Sequence, residues 1–150
     1  MVKKRKHVQS SNKPEFDGML FDSTQELSAY KKLVSEFGKE NVSYEDVSFE
    51  IVAPGKNNTI VFRSWGKKLS SRGFPHDNTK RVFTPDFIVK HKGKQYIVEF
   101  KNSFRQNADY PLRRTIFLRS EEARDYAMFF ECKRQSEIRE AIYIIMKDET

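Results

Sequence analysis

The sequence predicts an α/β domain: a mixed β-sheet with a central hairpin, flanked by helices. Three observations carry that expectation. Residues 82–102 are rich in Val, Ile, Phe and Tyr on both sides of Lys92-Gly93, the pattern of a hairpin. Apolar residues recur at helical spacing after Ser23, after Pro111 and over 136–147. A strand-like run over 126–132 separates the last two helical segments, so helices and strands share one layered domain.

Residues 1–16 carry Lys3, Lys4, Arg5, Lys6 and Lys13 with little to bury, and they read as a flexible basic arm. Such an arm can follow a phosphate backbone or merely keep the chain in solution. Residues 17–150 are expected to form a single domain.

Ser23 opens the first helix, and Glu26 three residues on completes a capping-box pattern. Leu27, Tyr30, Leu33, Val34 and Phe37 continue at helical spacing until Gly38. Glu26 has two readings. Its side chain can cap the helix, or, from the row Glu26, Tyr30, Leu33, Phe37, it can reach a pocket on the sheet.

One or two short strands are expected over 42–52, from Tyr44, Val47, Phe49 and Ile51. The stretch 53–80 holds Lys56, Arg63, Lys67, Lys68, Arg72 and Lys80 together with Phe62, Trp65 and Phe74. Long loops in compact domains tend to be functional or disordered, and cations interleaved with aromatics suit nucleic acid. Ile60-Val61-Phe62 is a further candidate strand.

In the hairpin, a turn centred on Lys92-Gly93 pairs residues whose numbers share one sum, so Asp86 falls opposite Glu99. Alternation puts Phe83, Phe87, Val89, Tyr96, Val98 and Phe100 on a core face. Val82, Thr84, Asp86, Ile88, Ile97, Glu99 and Lys101 take the other. Facing carboxylates repel, and a Mg²⁺ ion between them would remove the conflict. Lys101 lies beside the same pocket, where an ammonium can steady developing negative charge. Two carboxylates and a lysine in one cleft form an arrangement suited to metal-assisted phosphodiester cleavage. The plain alternative is a solvated hairpin face, against which stand Ile88 and Ile97 on the same side.

Beyond Lys101, Arg113, Arg114 and Arg119 sit among Leu112, Ile116, Phe117 and Leu118, as on an amphipathic helix beside the hairpin. These arginines are candidate phosphate clamps or members of an exposed helical face. Tyr126 to Cys132 reads as a strand, and Ser136 to Lys147 as a helix with Ile138, Ala141, Ile142 and Ile145 inward.

The whole chain narrows the classes. At 150 residues and 17.8 kDa it is long enough for one real core. A net charge of +7 favours a polyanionic partner. A single cysteine, Cys132, excludes an internal disulfide and suggests a reducing compartment. With three histidines scattered along the chain, a zinc site is not expected. No apolar run is long enough for a membrane span, and the basic N-terminus lacks a signal peptide's apolar stretch.

Phe-Asp-Ser-Thr-Gln-Glu at 21–26, Thr-Pro-Asp-Phe at 84–87 and Val-Glu-Phe-Lys at 98–101 together resemble the PD-(D/E)XK nuclease superfamily. The resemblance implies a restriction-endonuclease-like fold. It matches Asp86 to the motif aspartate, Glu99 to the second acid, Lys101 to the lysine and Glu26 to the helix-borne glutamate. It further implies Mg²⁺, with Mn²⁺ able to substitute, held by Asp86, Glu99, the Phe100 backbone carbonyl and Glu26. DNA would lie along Arg113, Arg114, Lys80, Arg81, Lys67 and Lys68. The Arg113-Arg114 segment is similar to the phage endonuclease I family of junction-resolving enzymes. Length and basic arm are similar to the head-completion nucleases of T-even-type phages. On that likeness the expected protein is a DNA endonuclease with little sequence preference, acting on packaged DNA before head and tail join. Its setting would be the bacterial host cytoplasm or the virion, with portal and neck proteins as partners and no membrane. Branched-DNA resolution, or a non-cutting nucleic-acid-binding assembly protein, are the alternatives.

Overall fold

A computed structural model describes residues 12–56, 58–72, 79–101 and 109–149. The elements run β1 (Glu15–Phe16), β2 (Met19–Leu20), α1 (Thr24–Phe37), β3 (Val42–Tyr44), β4 (Phe49–Val52), β5 (Arg63–Trp65), β6 (Lys68–Ser70) and β7 (Arg81–Phe83). They continue with β8 (Phe87–His91), β9 (Lys94–Phe100), α2 (Tyr110–Leu118), β10 (Met128–Cys132) and α3 (Gln135–Lys147).

The turn between β8 and β9 sets the frame. Lys92 and Gly93 both have positive φ, 51° and 79°, as a two-residue type I′ turn requires. His91 therefore pairs with Lys94, Ile88 with Ile97 and Phe87 with Val98, as the common sum demands. β3 adds antiparallel to β8, and β10 adds parallel to β9, giving a mixed sheet of order β10-β9-β8-β3. The α/β class with a mixed sheet is thus observed.

Alternation along the hairpin creates two cores. Phe87, Val89, Tyr96, Val98 and Phe100 pack against Tyr30 and Leu33 of α1 and Ile138, Ile142 and Ile145 of α3. On the opposite face Ile88 and Ile97 join Phe83, Tyr110 and Phe117 in a smaller core closed by α2. Gly38, at φ 92°, stops α1 and donates its N–H to the Val34 carbonyl at 2.9 Å.

Four expectations change. Phe83 lies in the smaller core, stacked on Phe117 at 4.9 Å, and not on the face of Phe87. Pro85 has no N–H for a ladder, so the strand breaks at residues 84–86 and β7 pairs separately with β4. The 42–52 region forms two short strands, as expected, in separate sheets, whereas the strand expected at Ile60-Val61-Phe62 forms instead at Arg63–Trp65. Residues 14–16 belong to the folded part: Phe21 N–H donates to the Pro14 carbonyl at 2.9 Å, and β1 pairs with β2. Residues 1–11 of the basic arm expected over 1–16 lie outside the described residues, as do Phe74 and residues 102–108. Among the described residues no helix is long and apolar enough to cross a membrane.

Candidate metal centre

Asp86 precedes β8 and Glu99 belongs to β9, and the strand break at Pro85 determines how they meet. Each carboxylate takes a backbone N–H from the other's strand. Asp86 N–H donates to Glu99 Oε2 at 2.6 Å, and Phe100 N–H donates to Asp86 Oδ2 at 2.8 Å. Both acids are buried, Asp86 at 4% exposure and Glu99 at 0%. Lys101 follows on the same face, with Nζ 3.0 Å from Glu99 Oε1 and 3.8 Å from Asp86 Oδ2. Its backbone N–H is held by the Cys132 carbonyl at 2.7 Å, so β10 anchors it. Its ammonium also stands over the Tyr110 ring at 4.5 Å.

The ionisation balance is one-sided. Burial pushes Glu99 above the usual carboxylate range, and the Asp86 charge adds to it, while Lys101 opposes both. Burial likewise raises Asp86 against the pull of Lys101 and the Phe100 N–H. Burial by itself would lower Lys101, but Glu99 and Asp86 outweigh it and hold the ammonium charged. Among the described residues the buried Glu99 Oε1 has the Lys101 ammonium, at 3.0 Å, as its partner, and it shares that single charge with Asp86.

Glu26 enters from α1. Ser23 Oγ accepts the Glu26 N–H at 3.1 Å, which is half of the expected capping box. The Glu26 carboxylate turns instead to Tyr44, whose hydroxyl donates to Oε1 at 2.6 Å. Tyr44 is steered there by its ring neighbours Phe21 and Phe87, at 4.5 Å and 5.3 Å. Burial first, and Asp86 next, push the Glu26 carboxyl up to about 7. Helix, strand and hairpin thus bring Glu26, Asp86, Glu99 and Lys101 into one electrostatic cluster: among the described residues, three carboxylates against one ammonium.

Two further acids join it. Carboxylate oxygens of Asp22, Glu26 and Glu45 all lie within 4.8 Å of one another. Glu45 has φ 47°, an uncommon conformation for a residue with a side chain, and its N–H donates to the Asp86 carbonyl at 2.8 Å. Burial, and then the hydrogen bond and charge of Asp22, raise its carboxyl. Asp22, Tyr44 and Glu45 are functional candidates that sequence reasoning passed over. Asp22 sat inside the string at 21–26, whereas nothing in the sequence marks the backbone turn that aims Glu45.

The proposed DNA contacts are dispersed. Arg113 donates to the Val82 carbonyl at 3.1 Å and tethers α2 to β7. Arg114 pairs with Glu131 at 2.6 Å, which also accepts from the Tyr110 hydroxyl at 3.1 Å. Both guanidinium groups therefore already serve the packing of α2. Lys67 lies in the turn of the β5–β6 ribbon and Lys68 opens β6. Lys80 is exposed, and Arg81 begins β7 with a hydrogen bond to the Thr79 carbonyl at 3.0 Å.

No family model, curated protein or solved structure matches the chain.

Proposed function

We propose that this protein is a divalent-metal-dependent DNA endonuclease on a restriction-endonuclease-like fold. The observation that carries the reading is the pair of buried acids, Glu99 and Asp86, that share the ammonium of Lys101 at 3.0 Å and 3.8 Å. Two buried carboxylates that share one ammonium leave negative charge uncompensated, which is costly in a purely structural site. Hard oxygen donors in excess of positive charge suit Mg²⁺, and Mn²⁺ in its place.

Asp86, Glu99 and the Phe100 carbonyl would hold the ion, with Glu26 contributing from α1. The bound metal supplies Lewis-acid polarisation of the phosphate and a more acidic water. Lys101, kept charged by its carboxylate neighbours, steadies the negative charge that builds on the phosphoryl oxygens. Tyr44 orients Glu26 through its hydroxyl. The net charge of +7 attracts the backbone, and phosphate contacts carry no sequence preference. The resemblance to phage head-completion nucleases supports action on packaged DNA, with portal and neck proteins as partners. Branched-DNA resolution is the competing role.

The test offers supercoiled, linear and branched DNA to the wild type and to Glu99→Gln, with Mg²⁺ and with EDTA. The amide oxygen of Gln can still accept the Asp86 N–H, so the fold is retained. The expected result is cleavage by the wild type in Mg²⁺ alone and loss of at least about 100-fold in the variant. Equal cleavage by both proteins, or none by the wild type on any substrate, would overturn the proposal. Preference within the substrate panel separates the two roles.

A further inference from the structure

Among the described residues, β5 and β6 form a two-stranded ribbon paired only with each other. Its tight turn, Gly66-Lys67, uses Gly66 at φ 70°. Arg63 pairs with Ser70, Ser64 with Leu69 and Trp65 with Lys68. Directly opposed residues share a face, so Arg63, Trp65, Lys68 and Ser70 lie together on one side. That side presents an indole between two cations.

Trp65 leaves 59% of its surface exposed, and every residue of β5 is exposed. Leu69, also exposed, alternates to the opposite face with Ser64, so the indole is the aromatic of the cationic side. The charge around it has one sign. From Ile51 to Arg72 the chain holds Lys56, Arg63, Lys67, Lys68 and Arg72 and not one acid. A face that combines an aromatic platform with cations on either side matches one chemistry: a base that can stack, joined to phosphates that can be paired. Duplex DNA keeps its base faces stacked and hidden, so the fitting ligand is an unpaired stretch.

We infer that the β5–β6 ribbon is a single-strand-binding arm, in which Trp65 stacks on an unpaired nucleobase while Arg63 and Lys68 hold the flanking phosphates. The choice of DNA as the polymer rests on the nuclease reading, but the binding itself does not require cleavage. Arm and metal centre can therefore fail separately.

Trp65 is the chain's sole tryptophan, so its fluorescence reports this contact directly. The full-length protein, in EDTA, is titrated with a short single-stranded oligonucleotide, its blunt duplex, inorganic polyphosphate and anionic phosphatidylglycerol vesicles. The single strand should quench the indole in a saturable manner and the other three should not. Trp65→Ala should weaken single-strand binding by about 5- to 100-fold, with Trp65→Phe in between. The joint change of Arg63→Ala and Lys68→Ala should flatten the log K against log[salt] slope by about 1.4. Far-UV circular dichroism checks that the variants remain folded, as expected for positions outside both cores. Equal quenching by polyphosphate or by vesicles would overturn the proposal, since charge or lipid would then suffice. Unchanged affinity in folded Trp65→Ala would overturn it as well. Cleavage without ribbon binding would leave the nuclease reading standing, and ribbon binding without cleavage would remove that reading alone.

Discussion

Replacing Glu26 by Gln separates the charge of this side chain from its shape. The amide oxygen can still accept the Tyr44 hydroxyl, now 2.6 Å from Oε1, while the negative charge facing Asp86 disappears. Burial and Asp86 raise this carboxyl from 4.5 to about 7. At about 1.36 kcal/mol per pH unit, that difference corresponds to roughly 3 kcal/mol. The group is partly open to solvent, so screening reduces the figure to about 1–2 kcal/mol. A folded-state value above the unfolded one means the folded chain binds more protons between the two. The stabilisation from protonated Glu26 is therefore complete below 4.5 and lost as pH rises through about 7. In EDTA at about pH 8, Glu26→Gln should be more stable than the wild type, with Tm higher by about 2–8 °C. The gap should close as pH falls toward 4.5, the ordinary value for this carboxyl. Adding Mg²⁺ should raise the wild-type Tm more than the variant's, because a ligand stabilises the state that binds it better. Thermal unfolding across this pH range, with and without metal, measures all three effects. A gap independent of pH, or a variant less stable at the alkaline end, would refute the reasoning and return Glu26 to a structural role.

Lys101→Met keeps an unbranched stem but removes the ammonium that pairs with Glu99 and Asp86. Without metal it should destabilise by about 2–3 kcal/mol, and Mg²⁺ binding should survive by calorimetry while cleavage is lost. Lost metal affinity as the chief defect would reassign the residue. Tyr44→Phe removes a hydroxyl that accepts the Asp22 N–H at 3.1 Å and donates to Glu26. A loss of about 1–2 kcal/mol in urea unfolding is expected, and unchanged stability would show that the hydroxyl does not position Glu26.

The hairpin was legible because one local signal, Lys92-Gly93, determines the pairing of every residue from Phe87 to Val98. That is why the meeting of Asp86 and Glu99 follows from arithmetic on the sequence. The same arithmetic failed at Phe83, where Pro85 ends the ladder and the chain leaves for another sheet. Glu26 was readable as a helix-start residue, but its choice of Tyr44 over the cap depends on tertiary contact with Phe21 and Phe87, which spacing does not encode. Asp22 and Glu45 reach the cluster through chain bends on either side of α1 and β3, so no periodic pattern points to them. The arginines of α2 show what spacing leaves out. Their positions on the helix were right, but Val82 and Glu131 already engage them.

The two-sided strand β9 has a consequence for how this chain tolerates insertions. Tyr96, Val98 and Phe100 fill the larger core while Ile97 and Glu99 face the smaller one. Sliding the strand by a single residue would exchange the faces and drive Glu99 and Lys101 in among Tyr30, Leu33 and Phe87. Two charges in that apolar layer would be far costlier than any hydrogen bond the slipped pairing could recover. The acids that make the centre reactive thus also reject the misaligned hairpin. An extra residue in the exposed Lys92-Gly93 turn should therefore be taken up as a longer loop over an unchanged register, and never by a slip of the strands.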